Sequence, residues 1–93
     1  MNRKYYVYIL TNKNNSVIYT GMTNNLNRRL IEHTNGLING FTKDYKVIKL
    51  VHFEEFSYVN DAIKREKQIK SWSRQKKIEL IKENNENWSD LTK

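Results

Sequence analysis

The stretch that decides the fold lies at residues 5–21 and reads YYVYILTNKNNSVIYTG. Residues 5–11 are mostly β-branched and aromatic, which is typical of a β-strand. Residues 12–15 (NKNN) favour a turn, because asparagine tolerates left-handed backbone geometry. Residues 16–20 return to strand composition and stop at Gly21. We therefore predict a β-hairpin with a four-residue loop.

This hairpin places two tyrosines next to each other. A loop at residues 12–15 pairs Tyr8 directly with Tyr19, and directly opposed residues share one face of a sheet. Paired aromatic side chains are also ordinary stabilisers of β-sheets, so the pair alone leaves a purely structural role open. A change of one residue in the register would separate the two phenols.

The rest of the chain alternates helical and extended patterns. We predict a helix at residues 26–33, a loop at 34–46, a third strand at 47–53, helices at 59–71 and 75–83, and a closing segment at 84–91 anchored by Trp88. The order β-β-α-β-α-α predicts an α+β fold with a small three-stranded, mainly antiparallel sheet flanked by helices. The length predicts one domain, residues 1–93.

The composition favours a polyanionic partner. Seventeen Lys and Arg residues stand against ten Asp and Glu, a formal net charge of +7, which is typical of nucleic-acid-binding domains, although it also keeps a small protein soluble. Six basic residues are predicted to contact nucleic acid: Lys64, Lys67, Lys70, Arg74, Lys76 and Lys77. The absence of cysteine excludes disulfides and thiolate metal sites. The longest apolar run is too short to span a membrane, so we expect a soluble, cytoplasmic protein.

The predicted helix at residues 26–33 directs two polar side chains towards the sheet. Arg29 and His33 are one helical turn apart and lie along the edge of the leucine stripe. Arg28 and Glu32 point the opposite way, where we expect a solvated ion pair. His33 could equally be a structural histidine at a helix end, and the helical pattern leaves that alternative open.

The helix at residues 59–71 has a carboxylate on its apolar stripe. Glu66 follows the apolar positions 59, 62 and 63 around the helix. A carboxylate facing a core is costly unless it is paired with a cation or binds a metal. Arg29 is the candidate ion-pair partner, and Mg²⁺ is the candidate metal, since it accepts one carboxylate together with several waters. The pattern leaves these two interpretations equal.

Taken in order, these motifs resemble the GIY-YIG endonuclease family. The segments that carry the resemblance are YVY at residues 6–8, YTG at 19–21, NLNRRLIEH at 25–33, the helix around Glu66, and the tail at 85–91. The chain lacks the glycine of the first tripeptide. The asparagine of larger members has Asn85 as its nearest counterpart. The resemblance covers nearly the whole chain and implies a small stand-alone nuclease.

The resemblance also implies a role for each site residue. Tyr8 would accept a proton from the attacking water, and Tyr19 would position that water or the phosphate. Arg29 would stabilise the phosphate, His33 would relay a proton, and Glu66 would hold one Mg²⁺ or Mn²⁺ ion. An unperturbed tyrosine has a pKa near 10, so its phenolate would need support from nearby positive charge. The implied partner is nucleic acid, DNA before RNA, with no organic cofactor and with room for an accessory protein or a homodimer.

Two alternatives remain from the sequence. The same fold could bind nucleic acid without cleaving it, as a binding module of a repair complex. It could also be a structural or interaction domain in which Arg29 and Glu66 form a buried ion pair, whose disruption typically costs about 3–5 kcal/mol. His52 lies on a predicted strand among apolar residues, and we expect it to be structural.

Overall fold

The computed structural model describes residues 3–37 and 44–93. The described residues form six elements: β1 (Tyr5–Thr11), β2 (Ile18–Thr23), α1 (Leu26–Thr34), β3 (Lys49–Phe56), α2 (Val59–Ser71) and α3 (Arg74–Asn84). The predicted α+β class and the element order are confirmed. The middle of the predicted loop at 34–46, residues 38–43, lies outside the described residues.

The three strands form an antiparallel sheet in the order β2-β1-β3. Because β1 is central, its alternating side chains enter a core on each face of the sheet. Val7 and Ile9 pack against the helix residues Ala62 and Ile69 of α2 and Ile81 of α3. These two helices therefore cover one face.

The opposite face of the sheet is covered by α1. Tyr8 and Leu10 of β1 form a second buried cluster there with Leu50, and Leu26 and Leu30 of α1 pack against it. This confirms the leucine stripe predicted from the helical period. The helix begins at a capped turn, in which the Asn25 side chain accepts a hydrogen bond from the backbone of Arg28.

The predicted hairpin register was wrong by two residues. β2 starts at Ile18, which pairs with Thr11, and the strand continues through Gly21 instead of stopping there. The reason is the connecting loop, which occupies residues 12–17. The side-chain oxygen of Asn12 accepts hydrogen bonds from the backbone amides of Ser16 and Val17 at 2.9 and 3.1 Å, so these two residues close the loop and cannot extend the strand.

The third strand also lies further along the chain than residues 47–53. It extends to Phe56 because its last residues pair with the start of β1. Glu54 is therefore part of the paired strand, opposite Val7. Arg65 of α2 donates two hydrogen bonds to the Glu54 carboxylate, at 2.8 and 3.1 Å, and His52 bonds it at 2.7 Å. Burial alone raises the pKa of Glu54, but these bonds and charges outweigh it and lower the pKa to about 2.

The closing segment packs against the core as expected. Trp88 is buried in the cluster on the α2 and α3 face. The backbone amide of Leu91 donates to the carbonyl of Leu50 at 2.8 Å, which ties the segment to β3. The helix at residues 59–71 has its predicted bounds, α1 ends one residue later than predicted, and α3 is one residue longer at each end. Among the described residues, every helix is too short and too polar to cross a bilayer.

Candidate active site

The site is centred on Tyr8, in the middle of the central strand. Only 2% of this residue is exposed, and its phenol lies over the backbone of Gly21, which it faces across the ladder. A Cβ atom added at Gly21 would lie 2.5 Å from both Cζ and Oη of the tyrosine. The YTG glycine therefore makes room for the tyrosine ring, a close approach that only a residue without a side chain allows.

His33 meets Tyr8 from α1. Its Nε2 lies 3.1 Å from the Tyr8 hydroxyl, in a buried hydrogen bond. The two rings are nearly perpendicular, with centroids 5.8 Å apart. The phenol donates to Nε2 when the imidazole proton is on Nδ1, and Nδ1 is buried without a hydrogen-bond partner among the described residues.

Tyr19 completes an aromatic cluster with these two residues. Its ring centroid lies 6.4 Å from that of Tyr8 and 5.4 Å from that of His33. The predicted direct pairing of the tyrosines was wrong, since Tyr19 pairs with Leu10. The two-residue shift in register preserves the side-chain alternation, so both phenols still lie on the same face of the sheet.

Arg29 is half-buried beside this cluster, whereas Arg28 is exposed. The predicted ion pair of Arg28 with Glu32 was wrong: Arg28 bonds Asn24, and Glu32 lies 3.6 Å from Nε of Arg29 instead. This distance is too long for a hydrogen bond, and Nε of Arg29 has no hydrogen-bond acceptor among the described residues. A buried guanidinium donor without an acceptor is suited to binding an anionic group such as phosphate.

Glu66 projects from α2 with 23% of its side chain exposed. One oxygen of its carboxylate lies 3.6 Å from Nζ of Lys70, which forms an ion pair with it along the helix. The Arg29–Glu66 ion pair of the structural alternative is not formed, because each residue has its ion pair elsewhere, with Glu32 and Lys70 respectively. Two neighbouring positions on the same stripe, Ala62 and Ile69, are fully buried, which places Glu66 at the border of the core.

The electrostatics of the site keep both Tyr8 and His33 neutral. Burial raises the pKa of Tyr8 well above its usual value, and the neighbouring Tyr19 and Glu66 raise it further, while Arg29 lowers it. Burial and then the charge of Arg29 lower the pKa of His33. Arg29 favours the Tyr8 phenolate as expected, but in the protein alone the loss of hydration outweighs it and the pKa of Tyr8 stays raised.

Glu66 fits a single hydrated divalent ion better than a protein cage. The described residues contain no cluster of three or more His, Cys, Asp or Glu side chains that could hold a metal. A single part-exposed carboxylate is a ligand that Mg²⁺ or Mn²⁺ can use together with waters and a phosphate oxygen. The chemistry of the donor set therefore agrees with the expected single ion.

The predicted basic surface lies on α2 and α3. Five of its six members, Lys64, Lys67, Lys70, Arg74 and Lys76, are exposed, and Lys77 is half-buried. Lys76 lies over the ring of Trp72 with its Nζ 4.5 Å from the centroid, and Arg65 lies 5.1 Å from the same centroid. These cation–π contacts hold the junction between the two helices. The nucleic-acid contacts themselves stay a prediction.

Two residues considered at the sequence level are structural. The amide of Asn85 donates to the carbonyls of Val51 and Ser89 and accepts from the Ser89 amide, so its polar atoms hold the closing segment. His52 is buried and bonded to Glu54, as expected for a structural histidine. The sequence argument assigned Glu32 to the wrong partner, although its contact with Arg29 could have been predicted from the i, i+3 spacing.

Comparison with known proteins identifies the family. A family model described as the GIY-YIG catalytic domain matches residues 4–79. The chain belongs to the GIY-YIG family. The resemblance inferred from the motifs is thereby confirmed, and it gives the GIY-YIG chain a nuclease fold.

Relatives of similar length carry the same resemblance. The chain is 42% identical over 80 residues to a UPF0213 protein of Staphylococcus saprophyticus, covering 86% of this chain and 96% of that protein. It is 44% identical over 84 residues to a UPF0213 protein of Syntrophus aciditrophicus, covering 89% and 95%. The solution NMR structure of a UPF0213 protein from Bacillus halodurans is similar with a TM-score of 0.61 and 31% identity, covering 96% of this chain and 94% of that one.

Proposed function

We propose that this GIY-YIG chain, acting as a single domain of residues 1–93, is a metal-dependent endonuclease that hydrolyses phosphodiester bonds in nucleic acid, with DNA as the preferred substrate. The observation that carries the proposal is the buried hydrogen bond between Tyr8 and His33 at 3.1 Å, with Arg29 and Glu66 close enough to shift the pKa of Tyr8. A cytoplasmic role in DNA repair or recombination is part of the same proposal.

Tyr8 and His33 activate the attacking water through two linked proton transfers. The attacking water gives a proton to the Tyr8 oxygen while the Tyr8 proton passes to Nε2 of His33. The tyrosine stays neutral throughout, as its raised pKa requires. The pKa of His33 is lowered by burial and by Arg29, so the imidazole starts unprotonated and able to accept a proton. The hydroxide formed attacks phosphorus, and the phosphorus–oxygen bond to the leaving group breaks. The leaving oxygen takes a proton from solvent, to which His33 releases the proton that it accepted.

Arg29 and Glu66 act on the negative charge of the phosphate during the reaction. The Nε–H of Arg29, which has no acceptor among the described residues, donates to a non-bridging phosphate oxygen as negative charge builds on it. Glu66 would hold one Mg²⁺ or Mn²⁺, which neutralises phosphate charge when bound. Tyr19 packs against both proton-transfer residues and orients the water. The exposed lysines of α2 and α3 hold the nucleic-acid backbone without reading its bases.

The test compares matched variants on supercoiled, branched and flapped DNA and on RNA, with Mg²⁺ or Mn²⁺. Arg29→Ala should lower cleavage by about 100- to 1,000-fold, the effect of removing one donor that stabilises developing charge. Arg28→Ala removes the same charge from an exposed neighbour and should leave the rate nearly unchanged. Glu66→Gln keeps the shape of the side chain and should abolish cleavage with little change in the thermal midpoint.

The outcomes separate the proposal from its alternatives. Cleavage that survives both Arg29→Ala and Glu66→Gln would mean that another set of residues, or a contaminant, is responsible. If the protein binds these nucleic acids in gel-shift assays but cleaves none of them with any divalent metal, it is a binding module instead.

A further inference from the structure

A second feature of the sheet lies directly beside Tyr8. The register of β1 and β3 pairs Tyr8 with Phe53, so both side chains lie on the same face with Cβ atoms roughly 4.5–5.5 Å apart. Their environments differ: Tyr8 is buried, whereas 45% of Phe53 is exposed. The aromatic face of the sheet therefore continues from the proposed reaction centre out to solvent.

Phe53 forms one wall of an open pocket of about 580 Å³. The pocket runs between the edge of β3, the start of β1 and the first turn of α1. Its lining includes two cations, two aromatic rings and exposed amides: Arg3, Lys4, Tyr6, Phe53, Asn24 and Asn27. A pocket of this volume is large enough for a planar ring system together with its sugar.

The Tyr6 part of the pocket lining is held in place by hydrogen bonding. The hydroxyl of Tyr6 donates to Glu55 at 3.2 Å, and Lys4 lies 3.8 Å from the same carboxylate. Glu55 faces Tyr6 across the strands just as Phe53 faces Tyr8. These contacts fix the Tyr6 ring next to Phe53, and the exposed Arg3 adds positive charge at the rim.

We propose that this pocket is a subsite for one unpaired nucleobase of the strand that is cleaved, and that Phe53 is the surface on which the base stacks. The inference rests on the proposed nuclease function and adds the class of substrate to it. Stacking on an exposed aromatic ring is available to every base, since each has a π face, and the nearby cations compensate the backbone phosphates. The exposed amides can bond base edges.

The base must be unpaired for a geometric reason. The Tyr8 hydroxyl lies over Gly21 on the β2 side of β1, whereas Phe53 lies on the β3 side, so the two are about two strand spacings, roughly 10 Å, apart. A base that stacks on Phe53 therefore belongs to a nucleotide near the one whose phosphate reacts. Within a duplex, both faces of that base are covered by its stacked neighbours, and exposing one face costs a few kcal/mol of lost stacking and pairing. A single-stranded segment, or a strand splayed at a branch, offers the face without that cost.

An isolated exposed phenylalanine needs no functional explanation by itself. Phe53 differs from the exposed Tyr58 at the start of α2, which is 72% exposed and outside this pocket. Phe53 shares its pocket with the Tyr6 ring and two cations, and it pairs with Tyr8 in the sheet. Tyr58 is therefore a matched control for the loss of an exposed aromatic.

The experiment measures binding without chemistry, in EDTA, to two oligonucleotides of equal length. One is a single-stranded thymidine dodecamer, and the other is a dodecamer of abasic deoxyribose phosphates that carries the same charge without any bases. Phe53→Ala should weaken binding of the thymidine strand by about 5- to 150-fold, which corresponds to the 1–3 kcal/mol typical of one stacked base. It should leave binding of the abasic strand unchanged. Tyr58→Ala should change neither affinity.

Two further variants test whether the effect of Phe53 on binding comes from stacking. Phe53→Trp keeps a larger stacking surface and should bind the thymidine strand at least as well as the native chain. Phe53→Leu keeps an apolar side chain of similar size, so a loss of binding with an unchanged thermal midpoint assigns the effect to stacking. The corresponding ribonucleotide and a blunt duplex complete the set, and the duplex should bind more weakly than the single strand.

Each outcome has a distinct meaning. Equal affinity of native chain and Phe53→Ala for the thymidine strand, or equal losses on both oligonucleotides, overturns the subsite. Tighter binding of the blunt duplex also overturns it. If stacking depends on Phe53 but no nucleic acid is cleaved with any metal, the subsite stands and the nuclease proposal fails. If cleavage occurs but is indifferent to Phe53, only the subsite fails.

Discussion

Replacing Gly21 by alanine probes the contact that defines the site. The alanine Cβ would lie 2.5 Å from Cζ and Oη of Tyr8, whereas ordinary contact begins at about 3.4 Å. The tyrosine ring must therefore move by roughly 0.9 Å, or β2 must bend away from β1. Tyr8 is buried, so neither movement has free space to use.

The expected cost follows from the packing of the core. Overpacking by one methyl group in a close-packed site typically costs about 1–3 kcal/mol in the free energy of unfolding. For a chain of this length, each kcal/mol lowers the thermal midpoint by roughly 4–8 °C. We therefore expect the midpoint of Gly21→Ala to fall by roughly 5–20 °C in thermal unfolding followed by circular dichroism.

A double-mutant cycle separates the clash from other effects of the methyl group. In the Tyr8→Leu background the ring is gone. Adding the methyl group at Gly21 should therefore lower the free energy of unfolding by at least about 1 kcal/mol less than it does in the native chain. On the proposed function, a displacement of about 1 Å at Tyr8 should also lower the cleavage rate of the single variant by about 100-fold. Native stability and native cleavage in Gly21→Ala would refute the placement of Tyr8 over β2.

Three other predictions follow from single contacts. Glu54 has its pKa lowered to about 2 in the folded state by His52 and Arg65 against the effect of burial, so its stabilisation is complete above about pH 4.5 and is lost as the pH falls towards 2. Glu54→Gln should accordingly remove about 3 kcal/mol at pH 7 and flatten the acid limb of the unfolding curve. An unchanged acid limb would contradict the ion pair. Asn85→Ala should lower the free energy of unfolding by about 1–3 kcal/mol, because it removes the bonds to the closing segment, yet leave cleavage unchanged at a permissive temperature. Loss of cleavage in the folded variant would restore a catalytic role for this asparagine. Lys67→Gln should reduce the slope of log affinity against log salt concentration by about 0.9 if this exposed lysine contacts one phosphate, and an unchanged slope would remove it from the basic surface.

Two features of the sequence were strong enough to predict the fold. The alternation of β-branched and aromatic residues gave β1 with its bounds, and the helical period of apolar residues gave α2 with its bounds. These patterns are local, since a strand or an amphipathic helix must turn its apolar side chains to one side whatever surrounds it. The same logic placed Arg29 and His33 on the sheet-facing edge of α1.

The sequence could not set the hairpin register. The choice between a loop of four and a loop of six residues depends on whether the Asn12 side chain bonds the amides of Ser16 and Val17, and asparagine is compatible with both. The side-chain alternation was still sufficient to place Tyr8 and Tyr19 on one face, because an error of two residues preserves it.

By itself, then, the sequence determined the elements, their order and the identity of the side chains that face the sheet. Tertiary structure alone decided which groups meet across elements: Glu54 of β3 meets Arg65 of α2, and His33 of α1 meets Tyr8 of β1. It also buries Tyr8 deeply enough to keep the phenol protonated. The physical reason is the distance over which each effect acts. Backbone propensity and periodicity act over a few residues and are written along the chain, whereas hydration and charge interactions depend on distances between segments that only the folded chain brings together.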